Sequence, residues 1–159
     1  MTISASTGIK RVLLSWSSGK DSAWTLCQLQ QDPMVEVVGL LTTFNEEFNR
    51  SAIHGVRQQL LRLQAEAAGL PLIEIPLPWP CSNEQYESLM GTALDNARAQ
   101  LKIDAVAFGD LYLEDIRSYR EAKMQGTGLE LLFPLWQIPT DQLARQMIAG
   151  GLKAAITCL

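Results

Sequence analysis

The stretch Val12–Ser22, which reads VLLSWSSGKDS, joins a short apolar run to a turn of small residues and then to the start of a helix. Residues 11–14 have the apolar and β-branched character of a buried strand, and residues 21–31 alternate apolar and polar side chains at helical spacing. A turn of small residues between them can leave the backbone N–H groups at the positive end of the helix dipole free to bind an anion. The segment therefore predicts a strand, an anion-binding loop and a helix N-terminus.

Side chains of the same turn add to the predicted anion site. Lys20 supplies a point charge. Short hydroxyl groups that suit phosphate oxygens come from Ser15, Ser17, Ser18 and Ser22. A Walker A loop, GxxxxGK followed by Ser or Thr, is excluded because Asp21 follows Lys20 and the upstream glycine is missing. The alternative is an ordinary Ser/Gly turn with a solvated lysine.

The hexapeptide at residues 17–22, SSGKDS, resembles SGGKDS, the fingerprint of the PP-loop ATP pyrophosphatases. These enzymes cleave ATP between its α- and β-phosphates. Ser18 stands where the fingerprint has a glycine, and its small side chain preserves close approach of the backbone to a ligand. The resemblance implies that the loop binds ATP.

Composition indicates a single globular domain spanning residues 1–159, with 47% hydrophobic and 19% charged residues. The chain has no apolar run of about 18 residues and no apolar signal segment at its start, so we expect a cytoplasmic protein that does not contact a membrane. A net charge of −4 disfavours extended contact with nucleic acid. The three cysteines form no CxxC pair, which disfavours a zinc ribbon or a thiolation-type cysteine pair.

The rest of the chain predicts alternating strands and helices. Further strands are predicted at residues 35–43, 71–75, 103–108, 129–136 and 153–158. Further helices are predicted from Arg57 to Gly69, at 83–100 with Ser82 or Asn83 as the cap, at 111–121 and at 141–149 with Thr140 as the cap. Residues 44–50 are polar and predict an exposed loop. The pattern predicts a three-layer α/β/α, Rossmann-like fold with a mainly parallel sheet of five to six strands.

Several residues lie where such a sheet binds ligands, at the carboxyl ends of its strands. Leu41 and Thr42 end the second strand, and their alternative role is ordinary strand core. Asp110 follows Gly109 at the end of another strand, where it could orient a nucleophile, hold Mg²⁺ or simply form a turn. His54 is the only histidine, and it could bind a ligand, act as a general base or cap a helix.

A series of motifs in the same order resembles the diphthine ammonia ligase family and its bacterial relatives. The motifs are SSGKDSAW, TTFNE, HGVR, AGLPL, FGDLYLEDIRSYRE and FPLW with a later Gly-Gly pair. The resemblance implies a fold of the adenine nucleotide α-hydrolase (HUP) type. It also implies an ATP-dependent amide-forming ligase, which activates a carboxylate as an acyl adenylate before ammonia displaces AMP. The bacterial character of LEDIRSYRE implies a carboxylate other than diphthine.

The resemblance assigns roles to particular residues. ATP binding falls to Ser15, Ser17, Ser18, Gly19, Lys20, Asp21 and Ser22, with Leu41 and Thr42 beside the adenine. Catalytic roles fall to Lys20, Asp21, His54 and Asp110, of which Asp21 and Asp110 would bind Mg²⁺. The substrate side falls to Gly55, Arg57, Gly109, Glu114 and Arg117. The expected partners are ATP, a protein or small-molecule carboxylate, and ammonia.

Three alternatives to a complete ligase in one chain follow from the end of the sequence. Members of the family continue into an acidic, glycine-rich segment of the Gly-Glu-Asn-Gly-Glu kind, and this chain stops before it. One alternative is a truncated ligase, and another is a non-catalytic ATP- or AMP-binding module. In the third alternative, a second subunit supplies the segment. The exposed sheet edge left by the chain end favours a homodimer. A tRNA-modifying PP-loop enzyme is disfavoured by the net charge and by the missing cysteine pair.

Overall fold

The computed structural model describes residues 8–156, which form six strands and five helices. The strands are β1 (Lys10–Ser15), β2 (Val35–Asn45), β3 (Arg50–Ser51), β4 (Leu72–Leu77), β5 (Ala105–Ala107) and β6 (Glu130–Leu132). The helices are α1 (Lys20–Gln31), α2 (Gln58–Ala68), α3 (Asn83–Leu101), α4 (Glu114–Met124) and α5 (Thr140–Ala149). In this part of the chain, no helix has the length and apolar character needed to cross a bilayer.

The sheet has the order β4-β2-β1-β5-β6, and all five of these strands are parallel. The short strand β3 pairs antiparallel with the end of β2, where Phe44 faces Ser51. Because β4 occupies the other edge of β2 over the same residues, β3 lies beyond the carboxyl end of β1. The chain runs outward from β1 to β2 and β4 and then returns to β5 on the other side of β1. The carboxyl ends of β1 and β5 therefore form the crevice where sheets of this kind bind ligands.

Helices cover both faces of the sheet, as the alternating pattern predicted. On one face, Leu14 and Leu40 pack with Leu26 of α1 and Leu61 of α2. On the other face, Leu13 packs in a second cluster that includes residues of α3 and β5. A third cluster joins α5 to α1 through Trp24. The predicted three-layer α/β architecture is confirmed.

Three predicted boundaries were wrong. The strand predicted at 153–158 is not formed over residues 153–156, and its last residues lie outside the described part of the chain. The sixth strand is instead β3, which begins at Arg50, in the segment predicted as an exposed loop. The strand predicted at 129–136 is limited to β6, which ends two residues before Pro134, because proline has no N–H for a sheet ladder.

Proline and cap positions account for two smaller differences. Strand β4 continues through Pro76 to Leu77, which an edge strand tolerates because it pairs on one side only. Thr140 begins α5 rather than capping it, and Pro139 holds the cap position. Ser82 is the cap of α3, with reciprocal hydrogen bonds between Ser82 and Gln85.

Candidate functional site

The loop between β1 and α1 leaves the start of α1 open. The Trp16 N–H donates to the Leu41 carbonyl at 2.7 Å, which ties the end of β1 to β2. Ser18 has a φ of 67°, in the left-handed region, and turns the chain toward the helix. Gly19 holds the N-cap position of α1, and no side chain caps the helix. The N–H groups of its first turn are therefore available to an anion.

Serine side chains hold this loop together. The Ser22 hydroxyl donates to the Gly19 carbonyl at 3.0 Å and lies 3.2 Å from the Ser17 hydroxyl. The Ser17 oxygen also accepts from the Gly19 N–H at 3.3 Å. Ser22 is buried, so its hydroxyl shapes the loop. The Lys20 ammonium is half-exposed and lies 2.7 Å from a carboxylate oxygen of Asp21, with both side chains at the mouth of the loop.

The segment after β3 brings the HGVR motif to the loop. A Cβ atom on Gly19 would lie 3.0 Å from Nε2 of His54, so the imidazole packs against the glycine of the loop. Gly55 has a φ of 62°, a conformation that glycine adopts without steric cost. Arg57 is exposed and holds the N-cap position of α2. Of this motif, His54 contacts the loop glycine, and the roles predicted for His54, Gly55 and Arg57 stay predictions.

Gly109 brings the end of β5 into contact with the first turn of α1. A Cβ atom at this position would lie 3.1 Å from the carbonyl carbon and oxygen of Asp21 and 3.0 Å from Oγ1 of Thr25. Asp110, the next residue, accepts a hydrogen bond of 2.7 Å from Nε of Arg120. The Arg120 guanidinium also lies 4.1 Å above the ring of Phe108. Asp110 is therefore neutralised by a stacked arginine.

The binding of a nucleotide-bound Mg²⁺ ion by Asp21 and Asp110 stays a prediction. Such an ion takes one or two carboxylates and completes its shell with phosphate oxygens and water. Asp21 is paired with Lys20, and Asp110 is paired with Arg120. Each carboxylate would have to leave its basic partner before it could bind the metal ion. Among residues 8–156, no three His, Cys, Asp or Glu side chains form a metal-binding group by themselves.

A cavity of about 300 Å³ opens beside the loop. Its first end, the loop end, is lined by Ser15, Trp16 and Ser17 of β1 and the loop and by Leu41 and Thr42 of β2. Leu41 and Thr42 are buried, and their contact with adenine stays a prediction. The cavity then continues between α3 and α4, and we call this second part the helical end.

Polar side chains of α3 and α4 meet at the helical end. Oε1 of Glu87 accepts from the Lys123 ammonium at 2.8 Å and from the Tyr119 hydroxyl at 3.1 Å. The hydrogen bond from Lys123 lowers the pKa of Glu87, and the same bond raises the pKa of Lys123. Burial raises the pKa of the neighbouring Tyr86. At neutral pH the Glu87–Lys123 pair is therefore charged and the phenols of Tyr86 and Tyr119 are neutral.

The sequence analysis did not assign Glu87 or Lys123. None of the five predicted substrate-side residues lines the cavity, and this includes Glu114 and Arg117 of α4. Arg117 pairs with Glu121 at 2.8 Å, and its guanidinium lies over the rings of Phe133 and Trp136. Glu114 is exposed in the first turn of α4. The predicted helix is present, but these two residues lie on a face of α4 that does not line the cavity.

The fold and the loop together define a PP-loop nucleotide-binding domain of Rossmann-like architecture. The chain belongs to the family described as the diphthamide synthase N-terminal domain, whose model matches residues 10–131. No curated protein sequence matches the chain significantly.

A solved structure of the same fold is the U34-tRNA thiolase NcsA from Methanococcus maripaludis with its 4Fe–4S cluster. The two chains are 18% identical, with a TM-score of 0.54, over 96% of this chain and 61% of the thiolase chain. The chain thus spans less than two thirds of that protein. At this identity the likeness shows the fold alone.

Proposed function

We propose that this protein is an ATP-dependent amide-forming ligase that converts a carboxylate into an acyl adenylate. The observation that carries the proposal is the uncapped start of α1, which follows a loop whose Ser15, Trp16 and Ser17 line the cavity beside the end of β2. Membership of the diphthamide synthase N-terminal domain family supports it. The proposal covers the activity of a whole ligase. Its carboxylate substrate is a protein or a small molecule.

The loop would bind the phosphates of ATP. The N–H groups of the first turn of α1 donate to phosphate oxygens, and Lys20 turns from Asp21 to the charge that develops on the leaving pyrophosphate. Leu41 and Thr42, which line the cavity, would contact the adenine. Mg²⁺ held by Asp21 and Asp110 would supply Lewis-acid stabilisation of the phosphates.

The proposed reaction has two steps. A carboxylate oxygen of the substrate bonds to the α-phosphorus while the bond to the bridging oxygen of the β-phosphate breaks, which gives acyl adenylate and pyrophosphate. Ammonia then bonds to the acyl carbon, AMP leaves with the oxygen, and the nitrogen loses a proton. His54, which packs against Gly19, is the base that we propose for this proton.

The experiment follows the α-phosphate. ATP labelled at that position is incubated with Mg²⁺, ammonium and a panel of carboxylic acids, and labelled AMP is measured for the wild type and for Lys20→Ala. Lys10→Ala is the matched control, because Lys10 begins the strand whose other end carries the loop. We expect AMP from the wild type and the control, and a loss on the order of a hundredfold in Lys20→Ala.

Two results would contradict the proposal. Labelled ADP instead of AMP would mean that the bond between the β- and γ-phosphates breaks, which is a different reaction. Tight ATP binding without AMP for any acid would mean that the chain is a nucleotide-binding module without turnover.

A further inference from the structure

We propose that Arg120 is a catalytic residue of the adenylation step and that its guanidinium contacts the oxygens of the α-phosphate. This inference rests on the proposed function, because it assumes that the α-phosphorus is the atom under attack. The position of the Arg120 side chain in the fold is the basis of the proposal, since the sequence motifs assigned it no role.

Arg120 lies where the loop end and the helical end of the cavity meet. Leu14 of β1 pairs with Ala107 of β5, so Ser15 and Phe108 follow side by side at the carboxyl end of the sheet. Both of these residues line the cavity, and so does Arg120. The Arg120 guanidinium lies 4.1 Å above the ring of Phe108. A cation is therefore held directly over the strand that neighbours the phosphate loop.

A second contact ties Arg120 to the phosphate loop. Its Nε donates to Oδ2 of Asp110 at 2.7 Å, and Asp110 follows Gly109 in the chain. Gly109 packs against the first turn of α1, where an added Cβ atom would lie 3.1 Å from the Asp21 carbonyl. The carboxylate that holds Arg120 therefore belongs to the neighbour of a residue that contacts the start of α1.

The hydrogen bonds to Asp110 use one edge of the guanidinium and leave the other edge free. Nε and Nη2 donate to the carboxylate at 2.7 and 3.4 Å. Within residues 8–156, Nη1 forms no hydrogen bond, although the side chain lines the cavity. The Arg120 side chain is only 21% exposed, and the ring of Phe108 fixes its plane. A guanidinium held in this way can bind two phosphate oxygens at once.

The other cations near the nucleotide are less suited to the α-phosphate. Lys123 belongs to the helical end and is 48% exposed. Arg98 is exposed and donates to a backbone carbonyl. Lys20 is assigned above to the leaving pyrophosphate. Arg120 is therefore the cation that the described part of the chain leaves for the α-phosphate.

The adenylation step creates the charge that this free edge stabilises. A carboxylate anion attacks an α-phosphate that is already negative, and the two α-phosphate oxygens outside the reacting bonds carry more charge in the transition state. Nη1 and Nη2 donate to these oxygens, and the guanidinium keeps all its protons because arginine does not ionise in proteins. The bonds formed and broken are those given above. The role holds whether Asp110 keeps the Nε edge or binds a metal ion, since neither uses Nη1.

The first test measures the α-phosphate contact without turnover. Dissociation constants of AMP and adenosine are measured by ligand-detected NMR for the wild type, Arg120→Ala and Arg62→Ala. Arg62 is the matched control, because its Nε donates to both carboxylate oxygens of Glu74 and its side chain does not line the cavity. We expect Arg120→Ala to bind AMP on the order of tenfold more weakly and adenosine as the wild type does. Arg62→Ala binds both ligands as the wild type does.

The second test measures AMP formation from ATP labelled at the α-phosphate, with the same panel of acids. We expect kcat to fall on the order of a hundredfold in Arg120→Ala, and this loss exceeds the rise in KM for ATP because the contact strengthens in the transition state. Arg120→Lys recovers only part of the rate, since an ammonium lacks the fork of the guanidinium. Methylguanidinium added at millimolar concentration restores part of the rate to Arg120→Ala but none to Lys20→Ala.

Urea unfolding verifies that each variant is folded. If Arg120→Ala does not fold, Arg120→Gln takes its place in both tests, because the glutamine amide can still donate to Asp110.

The outcomes separate the two proposals. If the Arg120 variant keeps the wild-type ratio of AMP to adenosine affinity, or forms AMP at the wild-type rate, the role of Arg120 is refuted even where Lys20-dependent AMP is formed. If the affinity ratio falls as expected and the wild type forms no AMP with any acid, the ligase proposal fails and Arg120 stands as an α-phosphate-binding residue without a catalytic role.

Discussion

Substitution of Gly109 by alanine tests the packing on which the phosphate loop depends. The added Cβ atom would lie 3.0 Å from Oγ1 of Thr25 and 3.1 Å from the carbonyl of Asp21, where ordinary contacts are 3.4–4 Å. Thr25 cannot simply rotate away, because it is fully buried and donates to the Asp21 carbonyl at 2.7 Å. The first turn of α1 must therefore move away from β5 by a few tenths of an ångström.

The expected cost follows from this overpacking. Extra atoms in a well-packed interior cost about 1–3 kcal/mol. In a domain of this size, each kcal/mol lowers the melting temperature by about 2–4 °C, so we expect a loss of about 2–12 °C. The N–H groups that would bind phosphate move with the helix, and ATP affinity falls as well.

Urea unfolding and ATP titration of Gly109→Ala and the wild type provide the assay. Gly91→Ala is the matched control of opposite sign, since its Cβ meets open space and a helix-interior alanine stabilises by up to about 1 kcal/mol. A Gly109→Ala protein with wild-type stability and ATP affinity would refute the close contact between Gly109 and α1.

Three further substitutions test individual contacts. Ser18→Gly removes the strain of a left-handed serine, which costs about 1–2 kcal/mol, and the more flexible unfolded glycine chain offsets about 0.5–1 kcal/mol of this. We therefore expect urea unfolding to show a net gain of up to about 1.5 kcal/mol. Glu87→Gln should lower the urea midpoint at pH 7. Because Lys123 lowers the pKa of Glu87 below its ordinary 4.5, this difference should vanish as the pH falls through that lowered pKa, and a pH-independent difference would contradict the ion pair. Arg120→Ala leaves the Asp110 carboxylate without its partner, and we expect the free energy of unfolding to fall by about 1–3 kcal/mol. The loss should be smaller when Asp110 is also replaced by alanine.

The parts of the fold that the sequence predicted are those specified by local signals. The apolar run before Ser15 and the small residues after it identify the strand and the loop. Gly69 ends α2 in the left-handed conformation, with a φ of 66°, as its position predicted. Each of these features depends on residues within one turn or strand, so the printed sequence contains the information.

The helical end of the cavity could not be predicted in the same way. Glu87 and Tyr119 are 32 residues apart in the chain, and both belong to helices with many other charged residues. Which of these residues face each other depends on how α3 and α4 pack over the sheet. The strand β3 was missed for a related reason, because two residues carry no alternating pattern and pair only through the extension of β2.

The two walls of the site are held by different forces, and this bears on what each can do. The loop wall rests on β1, whose Val12, Leu13 and Leu14 are fully buried, so its geometry is fixed by the core. Helix α4 buries no residue and is attached through stacking of Arg117 and through ion pairs such as Arg120 with Asp110. The more exposed pairs of α4, such as Lys123 with Glu87, are individually weak and exchange partners with water, salt or a ligand. A rigid phosphate site facing an adjustable wall suits a reaction in which the nucleotide is constant and the carboxylate is the variable partner.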